Sequence, residues 1–349
     1  MARRIGPARR PDDFVKLRST VVALLTVLLL GWFLRGADPS GVWAHVQRAR
    51  FDMLAVALGC VAVAFWLRAL RWQCMVAPIG PTRFRSAFRA TVIGFAALGV
   101  LPARAGDVIR PYLLAREEGL SASAVFATVV LERVLDLIAV LALLALFVYG
   151  YGDAATLPDR LRGPVTLSAT IGAAAAAGLM ALLWLMASRP EQIGRLVFAA
   201  TRILPRGVGD KLAKLAATFS TGLAVARDPR RLLRSLGWSV AVWAVTSAEA
   251  WAVTRAFGVE MPFMGSFLLQ AFLVIGIAVP TPGGVGGYHE AYRFAVTSFF
   301  HAPNDRAVAA ALVVHAISFV PVVLLAVVFM AQDGLSVGRL QEMARSTSE

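Results

Sequence analysis

Apolar runs approaching the ~20 residues that a helix needs to cross a bilayer recur along this chain. In lipid every backbone N–H and C=O must find a partner within the protein, so such runs admit helices or a closed barrel. The alternating segments of roughly ten residues that mark a membrane barrel are missing. The expected fold is therefore an all-α polytopic membrane protein. Composition agrees: 58% of residues are hydrophobic and 16% charged, and the mean hydropathy is +0.69.

Two of these runs break where a helix would be expected to continue. The first is VIGFAALGVLPARAGDVIRPY, interrupted by Pro102 and Gly106. The second, VIGIAVPTPGGVGGYHEAY, is interrupted by Pro280, Pro282, Gly283, Gly284, Gly286 and Gly287. Irregular backbone at membrane depth is tolerated only where it is buried in protein or lines a cavity. Both stretches share VIG, then a proline, then a glycine (Gly106 matched with Gly286), then a tyrosine, Tyr112 or Tyr292. Paired interruptions in two inverted halves point to a transporter's binding site. The sequence predicts about six full spans and two broken, re-entrant elements related as an inverted repeat. Eight full spans with two proline kinks is the alternative.

Charge sets the expected topology. Residues 1–18 hold six basic residues and two acids, which places the N-terminus in the cytoplasm. The run that follows lacks a small-x-small cleavage site and leads into Trp32 and Arg35, so 19–34 reads as an uncleaved first span. Residues 35–50 form an outer loop, with Val42, Trp43 and Val46 at helical spacing along an interfacial helix. The second span, 51–67, returns to the cytoplasm, where Arg68 and Arg71 are expected to snorkel to the interface. The first broken element is 86–118, followed by a long span over 122–150, an outer loop over 151–164 and an Ala-rich span over 165–187. Residues 189–234 carry ten basic residues and three acids. They read as amphipathic helices on the cytoplasmic surface around 191–204 and 210–226, or equally as a linker between two halves. Spans at 235–254 and 306–331 flank the second broken element at 262–300, and 333–349 is a cytoplasmic tail. The membrane domain as a whole is 19–332.

The net charge of +14 fits basic cytoplasmic loops facing anionic lipid, and no nucleic-acid partner is expected. Cys60 and Cys74 are too few for a disulfide framework. No set of residues has metal-ligand spacing, PGGVGG is neither GxGxxG nor a Walker sequence, and no G-x-S-x-G is present. Neither a cofactor, a metal nor a catalytic group is expected.

Ionisable residues inside spans are costly and call for a reason. Glu132 and Asp136 lie four apart on one helical face, with Arg133 adjacent. They are either an internal ion pair, such as Glu132 with Arg110, or the polar wall of a water-filled cavity. Arg104, Asp107 and Arg110 are either ordinary loop charges or an anion site at a helix N-terminus. His289, Glu290 and Arg293 follow the second break as a proton relay or a static cap. Glu249 is a lone acid deep in a span, expected to pair with Arg293 or Arg110 or to titrate. Gln270 and His315 read as satisfied interior polar groups.

VLPARAGDVIRPYLL, ATVVLERVLDLIAVL and VPTPGGVGGYHEAY together resemble the lysylphosphatidylglycerol synthase transmembrane-region family of flippase-like domains, over roughly 15–332. In the two-part relatives a cytoplasmic domain attaches lysine to phosphatidylglycerol and the membrane part moves the product outward. The sequence runs only seventeen residues past Gln332, so a stand-alone member is expected. The resemblance implies a bacterial inner-membrane lipid flippase for a phospholipid, aminoacyl lipid or glycolipid, with an anionic or zwitterionic head group, and not an enzyme. A scaffold for a separate lipid-modifying transferase, docked on 189–234, is the rival reading. A membrane enzyme using Glu132, Asp136 and His289 as acid–base groups is a third.

Overall fold

The structure, a computed structural model, describes residues 11–101, 104–150, 159–189, 192, 195, 215–279, 281–334 and 338. Pro102 and Pro280, two of the expected break positions, lie outside these residues. So do 1–10, 151–158, most of 190–214 and nearly all of the tail.

Among the described residues the fold is helical throughout. Helices α1 (Pro11–Leu34), α2 (Pro39–Gln47), α3 (Phe51–Val76), α4 (Phe84–Val100), α5 (Gly106–Glu118), α6 (Ala122–Gly150) and α7 (Asp159–Ser188) come first. After a helical stretch over 215–222 and a 3-10 turn at Leu223–Arg227, the chain enters α8 (Pro229–Ala256). Then follow α9 (Gly265–Ile277), α10 (Gly287–Phe300) and α11 (Asn304–Gln332). Local chemistry sets several ends. Pro39 and Pro229 occupy the first helical turns of α2 and α8, behind the capping carboxylates Asp38 and Asp228. Gly119, with φ of 68°, ends α5 by turning left-handed.

Among the described residues three helices qualify as spans by length and apolar composition: Phe51–Val76, the Thr166–Leu185 part of α7, and Asn304–Gln332. By length alone α1, α6 and α8 also suffice. The shortest, α1, has 24 residues, or about 36 Å at 1.5 Å per residue against ~30 Å of hydrocarbon. α6 and α8 carry Glu132, Arg133, Asp136 and Glu249 into that thickness. Outward-facing side chains such as Leu28, Ile275 and Val327 are exposed as a lipid-facing surface would be.

The two broken elements are helical hairpins, α4–α5 and α9–α10. α6 follows the first hairpin and packs on its second limb, α5, and on α9 of the other hairpin. α11 follows the second hairpin and packs on its second limb, α10, and on α4 of the other. α3 and α8, which precede the hairpins, lie along each other. This reciprocity is the packing of two like halves.

Each hairpin closes on a pair of glycines. A Cβ on Gly106 would run into the Gly94 carbonyl oxygen, and one on Gly287 would stand 2.5 Å from the Gly276 carbonyl oxygen. Gly94 and Gly276 are the glycines of the two VIG stretches, so Gly106 corresponds to Gly287 and not to Gly286. Gly286 instead turns the chain at φ 88° ahead of α10, and Gly283, at φ 61°, brings the second hairpin's tip against Gly99 of α4.

Four expected boundaries move. α1 begins at Pro11. α7 begins at Asp159 and takes in Pro164. α8 begins at Pro229, behind the Asp228 cap, and so takes in the end of the segment expected to lie on the surface. α3 does not end at residue 67: no breaker precedes Pro78, so it runs to Val76 and carries Arg68 and Arg71 inward. Neither arginine snorkels. Arg68 and Arg71 are both buried.

Candidate functional site

The first hairpin places Arg110 of α5 beside α6, and α3 places Arg71 on the other side of the same α6 carboxylates. Arg110 donates to Glu132 Oε1 at 2.8 Å, and Arg71 Nη2 stands 3.0 Å from the same oxygen. Arg133 also donates to it at 2.8 Å. Asp136, one turn along α6, accepts from Arg71 and, at 2.9 Å, from Trp243 of α8. Arg71 further donates to Ser239 Oγ of α8 at 2.9 Å. Glu132 therefore ties α3, α5 and α6 together, and Asp136 adds α8. Glu132 is fully buried and Arg110 nearly so, and neither reaches the adjoining cavity.

Aromatic faces surround the arginines. The Arg110 guanidinium lies 3.9 Å from the Trp72 ring centroid. Arg68, Arg110 and Arg133 stand 5.0, 5.7 and 6.0 Å from that of Phe95. Each such contact offsets part of the desolvation of the cation, by about 0.5–2 kcal/mol.

Charge does not balance. Arg71, Arg110 and Arg133 share two buried carboxylates, Glu132 and Asp136. With the buried Arg68 and Glu249 nearby, the set is four cations against three carboxylates. Arg104 and Asp107 meet at 3.1 Å at the rim and cancel each other, and Asp107 also stands 3.9 Å from Arg133, which joins the pair to the Glu132 network. Among the described residues Arg68 forms no ion pair. It donates to Thr246 Oγ1 at 3.3 Å, and its Nε has no hydrogen-bond partner.

Arg68, Arg104 and Arg133 open onto a cavity of about 260 Å³ between the two hairpins. Leu98 and Leu101 at the end of the first hairpin's α4 line it, and so do Thr281, Gly283 and Gly284 at the tip of the second. Trp243 and Glu249 of α8, Gln270 of α9 and Phe319 of α11 complete the wall. The volume is just under the ~300–1,000 Å³ of small-molecule sites.

Glu249 does not pair with Arg293 or Arg110. Those arginines are engaged elsewhere: Arg110 with Glu132, and Arg293 with Glu290 at 2.8 Å and Asn304 at 3.2 Å. Glu249 instead accepts from Ser318 of α11. Among the described residues Gln270 Oε1 and His315 Nδ1 are buried without hydrogen-bond partners, so there these two are not the satisfied groups the sequence suggested. His289 stands away from the arginines. Its Nδ1 accepts from the Gly286 N–H at 3.2 Å and its ring stacks on His315 at 4.6 Å. That is a cap on the start of α10. Glu290 turns to Arg293 on its own helix, so no hydrogen bond joins it to His289.

The structure thus gathers Arg104, Asp107, Arg110, Glu132, Arg133 and Asp136 in one network and sets Glu249 across the cavity. His289, Glu290 and Arg293 lie outside that set. Sequence reasoning missed Arg68, Arg71 and Trp243. The available signal was the three-residue spacing of Arg68 and Arg71 on a helix with no breaker before Pro78. Among the described residues no His, Cys, Asp and Glu group is arranged to hold a metal ion.

The family model for the lysylphosphatidylglycerol synthase TM region matches residues 19–326. The chain is similar to glycosyltransferase AglD of Haloferax volcanii, at 28% identity over 86% of this chain and 52% of that protein. It thus spans about half of AglD's length. It is also similar to the UPF0104 membrane protein PH1989 of Pyrococcus horikoshii, at 23% identity over 76% of this chain and 82% of that protein.

Proposed function

The chain belongs to the lysylphosphatidylglycerol synthase TM-region family, and we propose that it moves a lipid with a phosphate-bearing head group between the leaflets of its membrane. One observation carries this reading: at a cavity between the hairpins four arginines stand against three buried carboxylates, and among the described residues Arg68 has no ion-pair partner. A buried cation without a counter-charge is strongly disfavoured. A phosphate entering against Arg68, Arg104 and Arg133 supplies the missing anion, with hydrogen bonds assisted by charge. The acyl tails stay in lipid. The hairpin breaks at Gly106 and over Gly283–Gly287 are the points about which the limbs tilt to expose the cavity to either side. The basic segment 1–18 places the N-terminus in the cytoplasm of a bacterial inner membrane on this reading.

Reconstitution tests it. Vesicles containing the protein should move a fluorescent phospholipid across the bilayer faster than protein-free vesicles, and Arg68→Met should abolish the gain. Equal rates in the two kinds of vesicle would overturn the reading.

The similarity to AglD, a protein named as a glycosyltransferase, favours a second reading, in which the membrane domain presents a lipid to a transferase. A transferase recovered on detergent-purified protein, with no lipid movement in vesicles, would decide for it.

A further inference from the structure

We propose that the head group is a singly charged phosphodiester whose remainder is neutral and hydroxylic, and not a zwitterion carrying an ammonium. This rests on the lipid-transport reading of the same cavity. Arg68, Arg133 and Glu249 line the cavity, and Arg71, Arg110, Glu132 and Asp136 lie behind its wall, which makes four cations against three carboxylates. Arg104 and Asp107 cancel at the rim. One positive charge remains. A phosphodiester brings one negative charge and leaves the buried site neutral. A zwitterion brings none and leaves the surplus in place, with its ammonium facing Arg68 and Arg133 across a cavity of only about 260 Å³.

Hydrogen-bonding capacity points the same way. Glu249 has lone pairs beyond the one that Ser318 occupies, and the buried Gln270 amide oxygen has no partner. Hydroxyl groups donate to such acceptors without adding charge. Trp243 and Phe319 stand in the same wall, and aromatic side chains supply apolar surface against which the carbon skeleton of a polyol packs. Glycerol and a sugar share this chemistry. The head group of phosphatidylglycerol and that of a glycosyl phosphoryl isoprenoid both fit.

The test is equilibrium binding to the detergent-solubilised full chain, read from tryptophan fluorescence. Five probes are used: dioctanoyl phosphatidylglycerol, dioctanoyl phosphatidylethanolamine, dioctanoyl phosphatidic acid, citronellyl phosphoryl mannose, and dioctanoylglycerol as a phosphate-free control. Phosphatidylglycerol or the mannosyl phosphate should bind at least about tenfold tighter than phosphatidylethanolamine, and the tighter of the two names the source. In Glu249→Gln the surplus rises by one, so the doubly charged dioctanoyl phosphatidic acid should gain relative to phosphatidylglycerol. Equal or tighter binding of phosphatidylethanolamine, lost in Glu249→Gln, would overturn the inference and leave the lipid site standing. If no phosphate lipid exceeded dioctanoylglycerol, the lipid site itself would fall.

Discussion

Arg68 and Glu249 line one cavity and do not pair. Arg68 donates to Thr246 Oγ1 at 3.3 Å, and Glu249 accepts from Ser318. A cation and an anion that face one space while each settles for a hydroxyl leave room for a third party. The guanidinium and the carboxylate are available to a ligand without a strong internal ion pair having to break first.

Arg68→Met should therefore cost little stability. It removes a buried cation without an ion-pair partner and replaces it with an apolar chain of similar length. The unfolding free energy in detergent should stay within ~1 kcal/mol of wild type or rise above it. Lipid movement in vesicles should fall to the background rate in the same variant.

Glu132→Gln should behave in the opposite way. The sequence alone left Glu132 as either a member of an internal ion pair or part of a cavity wall. In the structure Glu132 accepts from Arg110 and Arg133 and lies 3.0 Å from Arg71. Its neutralisation leaves three guanidiniums around an amide. A loss of about 3–5 kcal/mol is expected, seen as a lower midpoint in thermal unfolding. A midpoint equal to wild type would show that the network is not what joins α3, α5 and α6.

The hairpin glycines give a stability test independent of charge. A Cβ on Gly276 would stand 2.6 Å from the Gly287 carbonyl oxygen and 2.7 Å from the Ala291 Cβ. Gly276→Ala should cost ~1–3 kcal/mol by overpacking. At Gly59 of α3 nothing lies within 4 Å, and Gly59→Ala should be neutral or stabilising. Thermal unfolding of the pair compares the two directly.

Much of the architecture was legible because lipid restricts the choices: long apolar runs must be helices, and a proline or glycine inside one must lie in protein. Both hairpins followed from that reasoning. Their correspondence was read one residue off, Gly106 with Gly286, because the two loops differ in length and only packing shows which glycine meets the partner carbonyl. The α6 charges stood out against their apolar surroundings. Arg68 and Arg71 did not, since an arginine near the end of a run is expected to reach for the interface. What turned them inward is the continuation of α3 to Val76 and the carboxylates of α6, a contact 65 residues away for Arg71 and Asp136. Glu249's partner was illegible for the same reason, because Ser318 lies 69 residues along the chain.

The loop helix α2 offers a pH test outside the membrane spans. The Ser40 hydroxyl, then the Gly41 and Ser40 amides, hold the Asp38 carboxyl below its ordinary value. A carboxyl depressed in the folded state contributes stability above its unfolded pKa of ~3.9 and loses it as pH falls through the lower folded value. The Ser40 and Gly41 amides, corrected for intrinsic exchange, should lose protection in that acidic window, and Asp38→Asn should remove the pH dependence.

The most direct measurement is mass spectrometry of the lipids that leave the membrane with the purified protein, for wild type and Arg68→Met. The charge surplus beside the cavity predicts one anionic phosphate lipid strongly enriched over the source membrane in wild type, and that enrichment lost in Arg68→Met. A profile matching the bulk membrane in both proteins would contradict a head-group site between the hairpins.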